Sequence, residues 1–246
     1  MKSKPRMRRV LLALLCVCLA FYLLLHFTRL PAPKQVMDAF QEWIMSGDFL
    51  NDITASAFRF CLGYFAGGFL GVVLGLTTGR SSLCNLTFGS ILQTLRPLPI
   101  IALVPLFLVL AGLNFMSFAI VTLGTLLPTW INTHIGASRI GNEYIWASKS
   151  LNLGWFRHIR HIVLPLTTPQ IVAGLRTAIG IGFVCLVAAE SAGVANGVAY
   201  RVATSHLTFR VDLMVASLIV LGAMGATADY VFTLLVDLTF PWSSND

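Results

Sequence analysis

Four charged side chains stand within or at the ends of long apolar runs. A charge in a membrane span costs free energy, so each of them is a candidate functional residue. They are Arg96, Arg176, Glu190 and Asp229. Arg96 and Arg176 carry the charge that would attract an oxyanion. The structural alternative is a helix-packing ion pair or a contact with a backbone carbonyl, and we favour it for Arg176 and Asp229. The chemistry that these residues predict is recognition of charge.

Bond-making chemistry finds no support in the sequence. No G-x-x-x-x-G-K-[ST] nucleotide loop, H-E-x-x-H zinc helix or G-x-S-x-G nucleophile turn occurs. Four histidines lack the spacing of metal ligands: His134, His158, His161 and His206. The cysteines form no CxxC pair: Cys16, Cys18, Cys61, Cys84 and Cys185. We therefore expect no catalytic residue, no metal site and no disulfide.

Composition places these charges in a membrane. The 246 residues are 57% hydrophobic and 11% charged, with a mean hydropathy of +0.80, whereas about 25% of the residues in a soluble domain are charged. The net charge of +7 comes mainly from an N-terminal cluster and from residues 139–160. Flanking positive charge of this kind sets orientation by the positive-inside rule, so we expect a lipid bilayer and no nucleic acid as a partner.

The hydrophobic pattern predicts an all-α integral membrane protein with six transmembrane helices. The predicted spans are 10–27, 53–78, 86–111, 115–131, 169–189 and 213–236. Prolines in the third span indicate a neighbouring cavity. Six spans and the distribution of Lys and Arg put both termini in the cytoplasm, provided that the first span is retained. We expect residues 1–52 to hold that span and an outer interfacial helix anchored by Trp43, 53–240 to form the core, and 241–246 to be a cytoplasmic tail.

Two patterns indicate how the spans pack and where they meet the cytoplasm. Gly63, Gly67, Gly71 and Gly75 form one stripe of the second span, which predicts close packing along a neighbouring helix. Residues 143–164 form the longest polar interruption, read as two short helices, 143–153 and 155–164. The apolar face of the second helix is expected to lie against the membrane domain; that face contains Trp155, Phe156, Ile159, Ile162 and Val163.

This stretch resembles the cytoplasmic EAA loop of ABC importer permeases of the nitrate, sulfonate and taurine family. The positions that match in register are Ala147, Leu151, Leu164, Pro165, Pro169, Ile171, Gly174, Leu175 and Arg176. Elsewhere, the similar segments are Leu30-Pro31-Ala32-Pro33-x-x-Val36, Ser56-x-x-Arg59-x-x-x-Gly63-Tyr64, Thr94-Leu95-Arg96-Pro97-Leu98-Pro99 and Ala188-Ala189-Glu190. The order and spacing of these segments extend the resemblance over nearly the whole chain.

The resemblance implies a type I importer permease, a non-catalytic translocation subunit that works by alternating access. Such a subunit forms a homodimer in the bacterial inner membrane, with two ATP-binding cassette subunits below and a periplasmic or lipid-anchored substrate-binding protein outside. The chain itself would bind no cofactor, and ATP-Mg would belong to the ATPase. The residues implied in the coupling loop are Glu143, Trp146, Ala147, Ser148, Leu151, Asn152 and Leu153. Those implied in the pathway are Arg96, Arg176 and Glu190.

Two departures from the family pattern concern the same loop. Trp146 stands where the family has glutamate, and Asn152 stands where it has glycine. Asn tolerates the left-handed turn that glycine would supply, so we still expect a helix–turn–helix, with an adapted ATPase groove or weaker coupling. The alternatives are a proton-coupled secondary carrier, which has no reason to keep a docking loop, and an intramembrane enzyme, for which no motif is present.

Overall fold

The computed structural model describes residues 31–151 and 154–239, and every regular element in them is helical. Helix α1 (Pro33–Met45) leads into α2 (Asp48–Arg80), which is long enough to cross a bilayer. A bent pair, α3 (Ser82–Leu95) and α4 (Ile100–Leu113), precedes α5 (Phe115–Ser138). Then come α6 (Asn142–Ser150), α7 (Phe156–Ser191), α8 (Val198–Leu207) and α9 (Val211–Thr239).

The described residues contain four helices that are long and apolar enough to cross a membrane, and a fifth if the bent pair counts as one span. These elements coincide with the second to sixth predicted spans. The first predicted span, 10–27, and the predicted tail, 241–246, lie outside the described residues. The all-α membrane architecture is therefore confirmed, while the first span stays a prediction.

The third predicted span, 86–111, is not a straight helix. Its two halves meet at 89°, across a break that contains Pro97 and Pro99. Neither proline has an N–H to donate, and each disfavours helical backbone in the residue before it. The prolines therefore bend the segment sharply at Arg96.

The glycine stripe of α2 packs along α5, as predicted. A Cβ atom on Gly63, Gly71 or Gly75 would approach Val121, Thr129 or Thr133 respectively, to 2.7 Å or less. The contacted residues of α5 also recur every four positions, so the two helices meet over most of their length. Thr125 adds a hydrogen bond across the seam, donating from Oγ1 to the carbonyl oxygen of Gly63 at 3.2 Å.

The fifth span begins earlier than predicted. The proposed separate helix 155–164 is continuous with α7, which runs through Pro165 and Pro169 to Ser191. A π-helical turn, Ile159–Val163, precedes Pro165, and the N–H of Leu164 donates to the carbonyl of Ile159, five residues back. This wider turn relieves the clash that a proline ring makes with the preceding turn. The predicted apolar face is only partly covered, because Val163 is buried while Phe156 is exposed.

Trp43 is not the membrane anchor that the sequence suggested. Its ring is buried against Val198 and Val220, so α1 is tied to α8 and α9. The indole Nε1 donates a 3.0 Å hydrogen bond to Oδ2 of Asp52. A buried indole requires such an acceptor. The pattern of α1 could not indicate this acceptor, because Asp52 belongs to the next helix.

Candidate functional site

Helix α6 and the residue after its last turn present apolar side chains away from the described chain. Trp146 is 65% exposed, Leu151 is 71% exposed, and Tyr144 is exposed beside them. Glu143 is exposed, whereas Ser148 is buried. Large exposed apolar groups in a short helix indicate a contact surface for a partner. Of the predicted coupling residues, Asn152, Leu153 and the side chain of Ala147 lie outside the description.

The position of α6 follows from the helices on either side of it. It connects α5, which ends at Ser138, to α7, which starts within a few residues of Leu151. Helix α7 continues without a break to Ser191. Helix α6 is therefore followed in the chain by a membrane-crossing helix.

Two of the predicted pathway residues lie in different places. Arg96 is exposed at the 89° bend between α3 and α4. Arg176 lies near the middle of α7 and forms an ion pair with Asp229 of α9. Its Nε donates to Oδ1 at 3.3 Å and its Nη2 to Oδ2 at 3.4 Å. The structure does not bring Arg96 into contact with this pair.

The Arg176–Asp229 pair borders a cavity of about 630 Å³ between α7 and α9. Its remaining lining residues are small or apolar: Ala173, Thr177, Ile179, Gly180, Phe183 and Gly225. The Arg176 side chain is 58% exposed and that of Asp229 46%. Both charged ends of the pair are therefore accessible in the middle of an otherwise apolar region.

Glu190, the third predicted pathway residue, is fully buried at the far end of α7. Ser56 Oγ donates to its carboxylate at 2.8 Å, Arg59 Nη1 donates at 3.0 Å, and the N–H of Ala199 donates at 3.1 Å. Arg59 also donates to the carbonyl of Asn196 at 2.8 Å. This carboxylate thus joins α2, α7 and the start of α8.

A second buried carboxylate, Asp52, holds the same segment from the other side. It accepts hydrogen bonds from Trp43, from the N–H of Gly197 at 2.9 Å and from Arg201, whose Nη2 approaches Oδ2 to 2.7 Å. Gly197 has φ +133°, and a Cβ there would meet the carboxylate of Glu190 at 2.5 Å. We call Asp52, Ser56, Arg59, Glu190 and Arg201 the outer lock, after the side of the membrane on which the sequence predicts these residues.

Carboxylates favour the charged form of two arginines at this end, Arg201 and Arg210. Burial lowers the pKa of Arg201, but hydrogen bonds and charge from Asp52 and Asp48 outweigh burial and raise it. Hydrogen bonds from Arg210, and then its charge, lower the pKa of Glu42 below its ordinary 4.5. The Glu42–Arg210 pair is bidentate, at 2.8 and 2.7 Å. Both members of the Glu42–Arg210 pair therefore stay charged throughout the neutral pH range.

In the sequence, Ser56 and Arg59 stand out only as parts of a motif, and no pattern gives a role to Asp52 or Arg201. A signal was present, since Asp52 and Arg59 stand in the first turns of a long apolar helix. The partner of Asp52 could not be inferred, because Arg201 lies 149 residues further along the chain. Within the described ranges, no group of three His, Cys, Asp or Glu side chains is arranged to hold a metal ion.

The sequence is similar to characterised families over most of its length. Residues 67–244 match the family described as the binding-protein-dependent transport system inner membrane component. SsuC of Escherichia coli (strain K12), named as an aliphatic sulfonates transport permease protein, is 31% identical over 215 residues, which cover 87% of this chain and 82% of SsuC. SsuC of Bacillus subtilis (strain 168) is 29% identical over 219 residues, covering 89% and 79% respectively. The taurine transport system permease protein TauC of Escherichia coli is 25% identical over 219 residues, covering 87% and 80%.

Solved structures show the same fold at lower identity. An amino acid ABC transporter crystallised with histidines has a chain that aligns with a TM-score of 0.61 and 15% identity, covering 80% of this chain and 95% of that one. A chain of the inward-facing MetNI methionine ABC transporter aligns with a TM-score of 0.60 and 16% identity, covering 77% and 97%. The helices of this chain are therefore arranged in the same fold as these ABC transporter chains.

Proposed function

We propose that this chain carries a small sulfonate-, nitrate- or taurine-like solute. The proposal proceeds from its family: the chain belongs to the binding-protein-dependent transport system inner membrane component family and is the permease subunit of an ABC importer. The observation that carries the proposal is the exposed apolar surface of α6 joined through α7 to the Arg176 cavity. Relatives named for sulfonate and taurine transport support the class of solute. The family assignment argues against the two alternative functions, a proton-coupled secondary carrier and an intramembrane enzyme.

The proposed assembly is a homodimer with two ATP-binding cassette subunits on the α6 side and a periplasmic or lipid-anchored substrate-binding protein on the other. ATP-Mg would be bound and hydrolysed in the cassette subunits. A half-exposed ion pair within a span supports the homodimer, because charges at this depth normally face a bundle interior or a water-filled cavity. The inner membrane, with both termini cytoplasmic, agrees with the bias of Lys and Arg toward the α6 side.

In this proposal, α6 fits a groove of the ATPase subunit and α7 transmits the closure of the ATPase dimer. Trp146 and Leu151 supply the apolar contact. Burying one such side chain contributes roughly 1.5–3 kcal/mol, and a charge at the same point would in addition have to be desolvated. The family's glutamate position is occupied by Trp146, so this surface is more apolar than the family pattern, and a matching apolar groove is expected in the partner.

Replacing Leu151 with Asp tests the coupling role. We expect ATP-dependent uptake in proteoliposomes to fall at least about tenfold, since a loss of about 1.4 kcal/mol of binding energy weakens association tenfold. Membrane insertion and yield should persist because Leu151 is exposed. Ala147→Asp should have the same effect.

Ser138→Asp is the matched control, because Ser138 is exposed at the end of α5 and is not part of α6. It introduces the same charge outside α6 and should leave uptake unchanged. Uptake by Leu151→Asp at the level of the parent protein would show that α6 does not dock the ATPase. Co-purification of the ATPase with each variant separates lost docking from lost transport.

A further inference from the structure

The contact between Arg176 and Asp229 is weak for an ion pair of this type. Charge-assisted N–H···O bonds are commonly about 2.7–2.9 Å long, and the two bonds here measure 3.3 and 3.4 Å. Arg201, in the outer lock, approaches Asp52 to 2.7 Å with the same donor type. The mid-membrane pair is therefore loosely closed and retains donor and acceptor capacity toward the cavity.

The cavity beside the pair has room for a small solute. Its volume of about 630 Å³ falls within the roughly 300–1,000 Å³ that is common for small-molecule sites. The space beside Gly180 on the α7 wall is open, since a Cβ there would meet nothing within 4 Å. Thr177 donates its hydroxyl hydrogen to the carbonyl of Ala173 at 2.9 Å, which leaves its oxygen able to accept.

The two charges together restrict which solute fits. A simple anion that binds Arg176 must displace Asp229 or lie beside it, and both arrangements leave a carboxylate without its counter-charge in a span. A solute with an oxyacid anion at one end and an ammonium at the other avoids this cost. It replaces one long ion pair by two, anion to guanidinium and ammonium to carboxylate.

We propose that the Arg176–Asp229 cavity binds a zwitterion, with the oxyacid group on Arg176 and the ammonium on Asp229. The inference rests on the proposed function, because it places the solute in the translocation pathway of an importer. It narrows the solute class: an amino sulfonate or amino acid fits both residues, whereas nitrate or an unsubstituted alkanesulfonate fits only one. Asp229 becomes a specificity-determining residue.

Taurine and ethanesulfonate form a matched pair of probes, since they differ only in the amino group. Binding of each radiolabelled probe is measured to the permease–ATPase complex in lipid nanodiscs, without ATP. We expect the parent complex to bind taurine at least about tenfold more tightly than ethanesulfonate. Asp229→Asn should abolish the preference, and Arg176→Gln should weaken binding of both probes.

Asp237→Asn is the control, because Asp237 lies on the same helix outside the cavity lining and should keep the preference. Equal affinities for the two probes in the parent complex, absence of binding of either, or a preference that survives Asp229→Asn would overturn the inference. A purely structural pair predicts that Asp229→Asn lowers both affinities equally. Failure of the proposed function is a separate result, namely no ATP-dependent uptake of any probe.

Discussion

Buried carboxylates at the outer end show how single residues hold this permease together. Glu190 and Asp52 are acceptors for donors that lie up to 149 residues away, including the backbone N–H groups of Gly197 and Ala199. Each buried charge is therefore paired and hydrogen-bonded, which is the condition under which it is tolerated. Removing one partner leaves the other charge buried and uncompensated.

Replacing Asp52 with Asn should destabilise the protein by about 3 kcal/mol, the lower range for breaking a buried pair. Arg201 would keep only Asp48, and Trp43 would lose its charged acceptor. Thermal unfolding in detergent or nanodiscs measures the effect as a lower midpoint. Asp38→Asn is the control, because Asp38 is exposed on α1, and it should unfold with the parent protein. If Asp52→Asn unfolded at the same midpoint as the parent protein, Asp52 would not contribute to the stability of the outer lock.

The charges inside spans were visible in the sequence, but most of their partners were not. Arg176 and Asp229 form the ion pair that is the structural alternative for both residues, while the place of Arg176 in the pathway stays a prediction. Glu190 was placed in the pathway by resemblance, and its full burial among Ser56, Arg59 and Ala199 depends on contacts between distant segments. Periodicity describes one helix at a time, so it cannot pair residues 131 positions apart, as in Arg59 and Glu190.

Among the elements, α2 and α5 form the closest contact, and it was predictable because a glycine stripe has a fixed period. The bend at Arg96 was less predictable. Prolines in a span can be accommodated by a kink, by water or by neighbouring helices, and the sequence does not choose among them. Pro165 and Pro169 illustrate the opposite outcome, because α7 passes through both after a π-helical turn.

Gly67→Ala tests the α2–α5 contact. A Cβ at Gly67 would overlap the carbonyl oxygen of Thr122 and the hydroxyl of Thr125, so one backbone must move. Overpacking of this kind costs about 1–3 kcal/mol, and we expect a lower thermal midpoint. Gly222→Ala makes the same change on α9, where a Cβ meets nothing within 4 Å in this chain. A Gly67→Ala protein as stable as Gly222→Ala would contradict the packing.

At the scale of the whole molecule, the helices differ in how tightly they are held. Helix α5 packs along both α2 and α7, whereas α9 buries only Ala216, Ser217 and Val220. Most of the length of α9 is therefore exposed on the surface of the described chain. The cavity beside Arg176 therefore lies between the compact group and its least constrained helix.

Thiol labelling tests the proposed orientation. In a background without native cysteines, Thr208→Cys marks the end of α8 and Ser150→Cys the end of α6, and both positions are exposed. A membrane-impermeant maleimide added to spheroplasts should label Thr208→Cys at once and Ser150→Cys only after lysis. The reverse order would place α6 outside and would be incompatible with an ATPase partner in the cytoplasm.

The unbroken length of α7 sets how far each site can move. From Phe156 to Ser191 it has 36 residues, about 54 Å at 1.5 Å per residue. If the outer lock is the pivot, Arg176 lies about 21 Å from it and Phe156 about 51 Å. A displacement of one helical turn at Phe156, about 5 Å, then becomes about 2 Å at Arg176. That shift would suffice to open the loose pair with Asp229. Helix α7 would then act as a lever, and the displacement at Arg176 would be about two-fifths of that at Phe156.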